Sequence, residues 1–384
     1  APDWARPLSF VVYGDNRSDH DSHSMVVGNI LGETHDLLMN TGDAVSSGEI
    51  EEDWDMFFQI EDPLLLHKPF HLAVGNHEED EGKVEIVDRL FHPPYVESNS
   101  PAKTYYSFDY SNVHFLVIDG FVHVEPWYLC LLQGKFYDNC HTAEQTNWIE
   151  IDLNKAAADP AIDHVFVFAH EGPYSSKEGR TGSGAMRDLM PIFVQSKVKV
   201  VFSGHDHYFE HGKSGNGVDY IISGGGGAPL YETAPGILNQ MFPHEVFVSE
   251  SIHNYQVVEI EGSYVKVTTF DVDDQSVIEE FEIGSKPDCT LAADCEGEET
   301  GTCEGWWECV NFSCIWTCKP AKDCEVAADC GDPPENSCEG SWECTIFGDC
   351  AWMCTPTFEC EADADCAGKD PLTDCDGGLF ECTE

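Results

Sequence analysis

Five short polar motifs, each directly after an apolar run, contain the residues of this chain that could do chemistry. They are Gly14-Asp15-Asn16-Arg17, Gly42-Asp43, Gly75-Asn76-His77-Glu78, Ala169-His170 and Gly204-His205-Asp206-His207. Each motif alone is typical of a turn or of a solvated surface residue. Together they supply two carboxylates, one amide and three imidazoles, a mixture of donors that suits a pair of borderline divalent or trivalent ions. The set therefore predicts a metal site.

Strand-like apolar runs precede these motifs and alternate with stretches of helical spacing. Buried strands are predicted over Leu8–Tyr13, Leu37–Asn40, Phe70–Val74, His114–Ile118, Val165–Ala169, Val198–Phe202 and Tyr220–Ser223. Helices are predicted over Ser24–Thr34, Glu51–Leu66, Thr142–Ala158 and Gly184–Ser196. Thr142 and Gln145 resemble a capping box, and Pro160 is typical of a helix stop. This alternation predicts an α/β layered fold whose site lies at the strand ends.

After Tyr220 the pattern becomes all-β. Strands are predicted over Tyr255–Glu261, Tyr264–Asp271 and Val277–Ile283, with turns between them. We expect these late strands to form a second sheet that packs on the first.

The five motifs, in this order, resemble those of the calcineurin-like metallophosphoesterases, most closely their purple-acid-phosphatase-like secreted branch. The resemblance covers roughly residues 8–284 and includes Tyr105-Tyr106-Ser107-Phe108 and the glycine-rich Ser223–Leu230 segment. It implies a four-layer αββα sandwich that holds two metal ions, which in such ligand sets are Fe, Mn or Zn. It also implies hydrolysis of phosphomonoesters or phosphodiesters by a metal-activated water.

The resemblance also implies a role for each motif residue. Asp43 would bridge both metal ions, Asp15 and His207 would complete one position, and Asn76, His170 and His205 would complete the other. His77 would face the substrate, as a proton donor or a phosphate ligand, with a structural role in its loop as the alternative.

Two positions depart from the family pattern. Arg17 stands where many relatives carry a ligand histidine, and its guanidinium stays protonated and does not coordinate metals. Ser46 stands where purple acid phosphatases carry a tyrosine. Asn16, His23 or water could supply the missing ligand. Arg17 could clamp the substrate phosphate, or it could form a salt bridge with a nearby acid.

Charge and composition exclude several classes of function. The 384 residues carry a formal net charge of −52, which opposes binding to nucleic acid or to an anionic membrane. A hydrophobic share of 42% argues against a disordered chain. The longest apolar runs are far shorter than the roughly 20 residues that a membrane span requires. We therefore expect no nucleic-acid partner and no membrane span.

Cysteine usage predicts an exported protein. Of 18 cysteines, 16 follow Gly284, whereas Cys130 and Cys140 are expected to pair within the first domain. The tail contains no histidine and no Cys-X-X-Cys pair, so zinc ribbons fit poorly. The chain begins with Ala1, as removal of a signal peptide would leave it.

The cysteine-rich tail is a repeat. Cys289, Cys324 and Cys360 open similar units 35 and 36 residues apart, about 288–322, 323–358 and 359–384. Six cysteines in a unit allow fifteen pairings, and the spacing leaves all of them open. Such short units depend on disulfides for stability.

Two domains are therefore predicted, a metallophosphoesterase domain over 1–284 and a repeat array over 285–384. The favoured interpretation is a secreted phosphoesterase whose substrate is a phosphate ester. The alternative is an extracellular structural, filament-forming or adhesive protein that uses the fold as a scaffold. The repeats could mediate self-association or anchoring to a surface.

Overall fold

A computed structural model of the chain describes residues 7–79, 84–120, 141–233, 242–286, 289, 292–295, 305–310, 313–318, 340–344 and 350–354. The chain divides into two compact units, residues 1–296 with 309–315, and residues 297–308 with 316–384. Within the described ranges, no helix is long and apolar enough to cross a bilayer.

Two large sheets form the centre of the first unit. The strands of the first sheet are β1 (Leu8–Tyr13), β2 (Leu37–Asn40), β3 (Phe70–Leu72), β11 (Asn254–Glu261), β12 (Tyr264–Asp271) and β13 (Val277–Ile283). Those of the second are β4 (Tyr106–Tyr110), β5 (Val113–Ile118), β6 (His164–Glu171), β7 (Val198–Gly204), β8 (Phe209–Ser214), β9 (Asp219–Ser223) and β10 (His244–Glu250). The six-stranded sheet has the order β13-β12-β11-β1-β2-β3, and the seven-stranded sheet has the order β10-β8-β9-β7-β6-β5-β4.

The helices cover the outer faces of the two sheets. They are α1 (His20–Ile30), α2 (Glu51–Leu65), α3 (Glu85–Leu90), α4 (Ala143–Ala158) and α5 (Gly184–Gln195). Helices α1 and α2 share a core with the first sheet, and α4 and α5 share one with the second. A third core, rich in phenylalanine, lies between the sheets. The predicted αββα sandwich is confirmed.

Strand β1 shows how the sequence pattern produces these layers. Phe10 and Val12 point into the core between the sheets, whereas Val11 and Tyr13 pack under the helices. Both faces of the strand are buried, so its sequence is a continuous apolar run rather than an alternating one. Most of the predicted strands agree with the structure within two residues at each end.

The predicted grouping of the late strands is wrong. β11, β12 and β13 do not form a separate sheet, because β11 pairs antiparallel with β1 and so extends the sheet of β1–β3. The second sheet consists instead of β4–β10. Strand β1 is thus central, with β2 on one side and β11 on the other, which buries both of its edges.

Helix ends follow their capping residues. Thr142 caps α4 as predicted and accepts a hydrogen bond from the backbone N–H of Gln145, while the Gln145 side chain bonds the backbone of Asp119. Helix α1 begins four residues before its predicted start, because the Asp19 carboxylate accepts from the backbone N–H groups of Asp21 and Ser22.

Disulfides connect the described part of the first repeat. Cys289 bonds Cys309, and Cys295 bonds Cys314, so the first cysteine of the unit pairs with the fourth and the second with the fifth. Two two-stranded sheets lie in the tail, β14 (Gly305–Val310) with β15 (Ser313–Cys318), and β16 (Gly340–Cys344) with β17 (Cys350–Cys354). The predicted Cys130–Cys140 pair lies outside the described residues.

Candidate metal centre

Two neighbouring parallel strands position the carboxylates of the site. β1 and β2 pair in parallel, and Asp15 and Asp43 follow their carboxyl ends. Both aspartates have left-handed backbone conformations, with φ of 57° and 53°, and His205 has φ of 69°. Such conformations are uncommon for residues other than glycine and cluster at functional sites. The turns after these strands therefore direct short side chains toward one place at the sheet edge.

Glycines next to the aspartates allow close approach of the backbone. Gly42 has a φ of +100°, and a Cβ there would lie 2.8 Å from both Ala73 O and His170 Nδ1. A Cβ at Gly75 would lie 2.3 Å from Asp43 Oδ1. Side chains at these two positions would displace the metal-site residues themselves.

Four of the predicted ligands converge on one point, which we call the four-donor position: Asp43, Asn76, His170 and His205. His205 Nδ1 lies 3.0 Å from Asn76 Oδ1 and 3.3 Å from His170 Nε2. His170 Nε2 in turn lies 3.3 Å from Asp43 Oδ1.

Asp43 also faces a second group, which we call the three-donor position: Asp15, Asp43 and His207. One oxygen or nitrogen from each residue lies within 4.8 Å of the others, and all three side chains are buried. His207 Nε2 lies 3.4 Å from Asp15 Oδ1. That oxygen is buried without a hydrogen-bond partner, which is costly for a carboxylate unless a cation faces it.

Backbone carbonyls orient the ligand imidazoles. His170 Nδ1 donates to Thr41 O at 2.8 Å, and His207 Nδ1 donates to Pro229 O at 2.8 Å. Each bond leaves Nε2 of the ring directed toward the other donors of its position, His170 toward Asp43 and His207 toward Asp15. Tyr231 also stacks on the His207 ring, with centroids 4.1 Å apart.

Buried negative charge surrounds His170. Burial opposes protonation of the ring, but Asp43, Asp15 and Glu78 outweigh burial and raise the pKa of His170 to about 10. Burial also opposes ionisation of Asp43, yet His170 and His77 hold the pKa of Asp43 well below its usual range. This concentration of carboxylates favours a multivalent cation, and oxygen and nitrogen donors around a shared carboxylate fit a pair of metal ions.

Glu78 is a site residue to which sequence reasoning assigned no role. Its buried carboxylate accepts from the backbone N–H groups of Asp43, Ala44 and Gly75, at 2.8, 2.8 and 2.7 Å. Burial and the charge of Asp43 raise the pKa of Glu78 to about 7. It fastens the turn that carries Asp43 to the turn that carries Asn76. The one sequence feature that pointed to Glu78 was its position directly after His77 in the third motif.

His77 lies at the rim of this site rather than among its donors. Its Nδ1 donates to Ser46 O at 2.7 Å, and its Nε2 lies 3.8 Å from Asp43 Oδ2. The side chain is 30% exposed, whereas Asp43 is 1% exposed. The ring is therefore partly exposed, and its second nitrogen lies beside the Asp43 carboxylate.

The proposed replacements for the missing ligand are engaged elsewhere. Asn16 donates to Gly226 O and accepts from Asn40 Nδ2, while His23 Nε2 bonds Glu61 at 2.8 Å. Ser46 Oγ lies 3.3 Å from Ser18 Oγ. Arg17 contacts Asp43 through Nε at 3.2 Å and His207 through Nη2 at 3.4 Å. Asn16, His23 and Ser46 thus bind other groups rather than completing the three-donor position.

The serine at position 46 leads to a prediction about the absorption spectrum of the iron-loaded protein. A serine hydroxyl gives no phenolate-to-iron charge transfer, so we expect the protein loaded with ferric iron to show no strong visible absorption band. An absorption spectrum of the iron-loaded protein tests this. A strong band would mean that another tyrosine ligates, with Tyr231 beside His207 as the first candidate. Loss of that band in Tyr231→Phe would identify it.

Comparison with known proteins identifies the family of the chain. The sequence model of the family described as Calcineurin-like phosphoesterase matches residues 8–209. The chain is 26% identical over 220 residues to purple acid phosphatase 22 of Arabidopsis thaliana, and 28% identical over 226 residues to purple acid phosphatase 18. These matches cover 54% and 55% of this chain and 46% of each relative. The chain therefore spans less than half the length of those relatives.

Solved structures share the fold. Purple acid phosphatase PPD1 from yellow lupin seeds matches with a TM-score of 0.60 and 20% identity, over 74% of this chain and 55% of that one. GAP50, the anchor in the inner membrane complex of Plasmodium, matches with a TM-score of 0.53 and 17% identity, over 74% and 91%. The family match, which covers more than half of the chain, and the two-sheet fold lead to one conclusion: the chain belongs to the calcineurin-like phosphoesterase family.

Proposed function

We propose that this chain hydrolyses phosphomonoesters or phosphodiesters at the metal centre described above. The observation that carries the proposal is the shared carboxylate. Asp43 Oδ1 lies 3.3 Å from His170 Nε2 in the four-donor position, and a carboxylate oxygen of Asp43 lies within 4.8 Å of the donor atoms of Asp15 and His207 in the three-donor position. Two cations held there, of Fe, Mn or Zn, would neutralise phosphate oxygens, activate a water molecule and stabilise in-line displacement.

The chain's own residues suit an anionic substrate. Asn76, His170, His205 and His207 are neutral as ligands, so the aspartates leave a pair of divalent or trivalent ions with net positive charge. The site can therefore attract an anion although the chain as a whole is strongly negative. We assign His77 the transfer of a proton to the leaving alkoxide, because its ring is 30% exposed and its Nε2 lies 3.8 Å from Asp43 Oδ2, beside the predicted metal ligands.

Basic side chains lie close to several of the predicted metal ligands. A cavity of about 120 Å³ beside His205 is lined by Arg180, Asp206 and Glu171, among others. Arg180 forms an ion pair with Asp206, and Lys177 lies over the Tyr231 ring that stacks on His207. Arg17, 17% exposed, borders the three-donor position. We assign Arg17 a contact with the substrate phosphate, which a guanidinium can make with two parallel hydrogen bonds.

The test is an assay on two substrates that differ in class. Purified protein supplied with Mn²⁺, Zn²⁺ or ferrous iron is offered p-nitrophenyl phosphate, a monoester, and bis(p-nitrophenyl) phosphate, a diester. Metal-dependent release of p-nitrophenol from either one supports the proposal. Absence of release from both, in protein whose metal content has been measured, contradicts it.

A structural role is the second candidate. GAP50 shares the fold and is described as an anchor, and a repeat array follows the phosphoesterase domain in this chain. In that case the protein would be an extracellular structural, filament-forming or adhesive component. The assay above separates the two functions, because a scaffold would bind no substrate and release no product.

For the hydrolase, we further propose a division of roles between domains, with residues 1–284 for hydrolysis and residues 285–384 for anchoring or self-association. The boundary follows β13, the last strand of the six-stranded sheet, by one residue. The disulfides Cys289–Cys309 and Cys295–Cys314 support an oxidising, extracellular location.

Truncation after Gly284 tests this division. We expect the shortened chain to fold and to hydrolyse substrate at an unchanged rate, since the site residues lie between Asp15 and His207. Activity and oligomeric state are measured on both chains, the latter by light scattering. Lost assembly with unchanged turnover would place the tail in an interaction role. Lost turnover in a chain whose circular dichroism is unchanged would contradict the division.

A further inference from the structure

The guanidinium of Arg17 lies against the atoms that the three-donor position offers to a metal ion. Arg17 Nε is 3.2 Å from Asp43 Oδ2, and Arg17 Nη2 is 3.4 Å from His207 Nε2. The Arg17 side chain is largely buried, at 17% exposure. One cationic group therefore contacts two of the three donors of this position.

A guanidinium at that place opposes a metal ion in two ways. It remains protonated in proteins and presents only N–H donors, so it adds no ligand to the position. It also places a positive charge within contact distance of Asp43 and His207, where an incoming cation would have to displace it. Repulsion between cations is strong where water is largely excluded.

The two positions therefore differ in their donor atoms, and among the described residues only at the three-donor position do we see a cationic side chain that would compete with a metal ion. The four-donor position has a carboxylate, an amide and two imidazoles. The three-donor position has two carboxylates and one imidazole, and Asn16, His23 and Ser46 are engaged with other groups. The backbone carbonyl of Ser46, another oxygen near this position, already accepts a hydrogen bond from His77.

We propose that the two positions bind metal ions with unequal affinity, and that Arg17 competes with the ion at the three-donor position. This inference rests on the proposed function, since it concerns the same centre. The four-donor position fills first and keeps its ion, whereas the three-donor position fills only when free metal is abundant enough to displace the guanidinium. Once displaced, Arg17 is available to contact the substrate phosphate.

Metal titration of the full-length protein tests the inference without reference to activity. Protein freed of metal with a chelator and dialysed is titrated with Mn²⁺ by calorimetry, and metal retained after desalting is counted by elemental analysis. We expect two binding steps whose dissociation constants differ by at least about 100-fold, and one ion per chain retained.

Two substitutions at position 17 separate competition from the missing ligand. Arg17→Ala removes the competing cation and adds no donor, so the weaker affinity should improve by about tenfold or more. Arg17→His also supplies an imidazole, so the chain should retain two ions after desalting. The matched control is Arg89→His, an exposed arginine that pairs with Glu51 on the surface, which should behave as the unchanged protein.

Three results would overturn the inference. Retention of two ions with similar affinities by the unchanged protein would contradict it and leave the proposed hydrolysis intact. Unaltered second-step affinity in both Arg17 variants, with circular dichroism spectra that match the parent, would exclude competition by the guanidinium. A protein that binds no ion at either step would contradict both this inference and the proposed function.

Discussion

Asp43→Asn is expected to abolish metal binding and hydrolysis together. The substitution keeps the size of the side chain and removes the negative charge that faces both positions, so each would lose its strongest shared donor. Removing a residue that only hydrogen-bonds to a metal ligand commonly costs about 10–100-fold in metal affinity. Because Asp43 is itself a predicted ligand, we expect metal affinity to fall by more than about 100-fold, with kcat/KM falling in parallel. Elemental analysis and the phosphatase assay are applied to the same preparation.

Asp55→Asn is the matched control for this substitution. Asp55 is an exposed residue of helix α2, so the same change of charge there should alter neither metal content nor turnover. If Asp43→Asn kept both ions and hydrolysed substrate at a near-normal rate, the assignment of Asp43 as the shared ligand would be wrong.

His77→Ala is expected to slow the reaction while the metal content stays unchanged. His77 belongs to neither donor group: its Nδ1 donates to Ser46 O, and its Nε2 lies 3.8 Å from Asp43 Oδ2 on a partly exposed ring. Loss of a general acid typically costs 10²–10⁴-fold in rate, so we expect a decrease in kcat on the order of 10³. The loss should be larger for an alkyl phosphate than for p-nitrophenyl phosphate, because an alkoxide needs the proton more than p-nitrophenolate does.

The comparison of leaving groups distinguishes chemistry from structure. His67→Ala, at an exposed histidine after helix α2, controls for the removal of an imidazole. Equal losses on alkyl and aryl substrates would argue that His77 does not donate the proton. Loss of metal from His77→Ala would assign the residue to holding the loop that carries Asn76.

Apolar pattern alone predicted the layers of the fold and most of its strands. The late strands were assigned to the wrong sheet. β11 pairs with the edge of β1 that β2 leaves uncovered, and the apolar sequence of β11 does not indicate which strand it will pair with. Strand β8 was missed because it carries Glu210 and His211 in buried positions. Glu210 accepts a hydrogen bond from Tyr220, and His211 pairs with Asp219 and Glu279, all of which lie on other strands.

The sequence predicted which residues form the candidate site, but it did not predict how Arg17 and Glu78 contact them. The motifs follow predicted strands, and side chains that follow parallel strands meet at one edge of a sheet. The donors of both positions could therefore be predicted from the sequence. The contacts of Arg17 with Asp43 and His207 depend on the path of a side chain in three dimensions, which spacing does not describe. The same holds for Glu78, whose three backbone partners come from two separate turns.

The most direct test of the account is the metal content of the purified chain measured together with its hydrolysis of p-nitrophenyl phosphate. Chelator-treated protein is supplied with increasing amounts of Mn²⁺, and bound metal per chain and rate are recorded at each step. We predict that removal of metal abolishes hydrolysis, and that hydrolysis returns as the donors around Asp43 fill. Hydrolysis that persisted in metal-free protein, or a metal-loaded protein without hydrolysis of either ester class, would contradict the account.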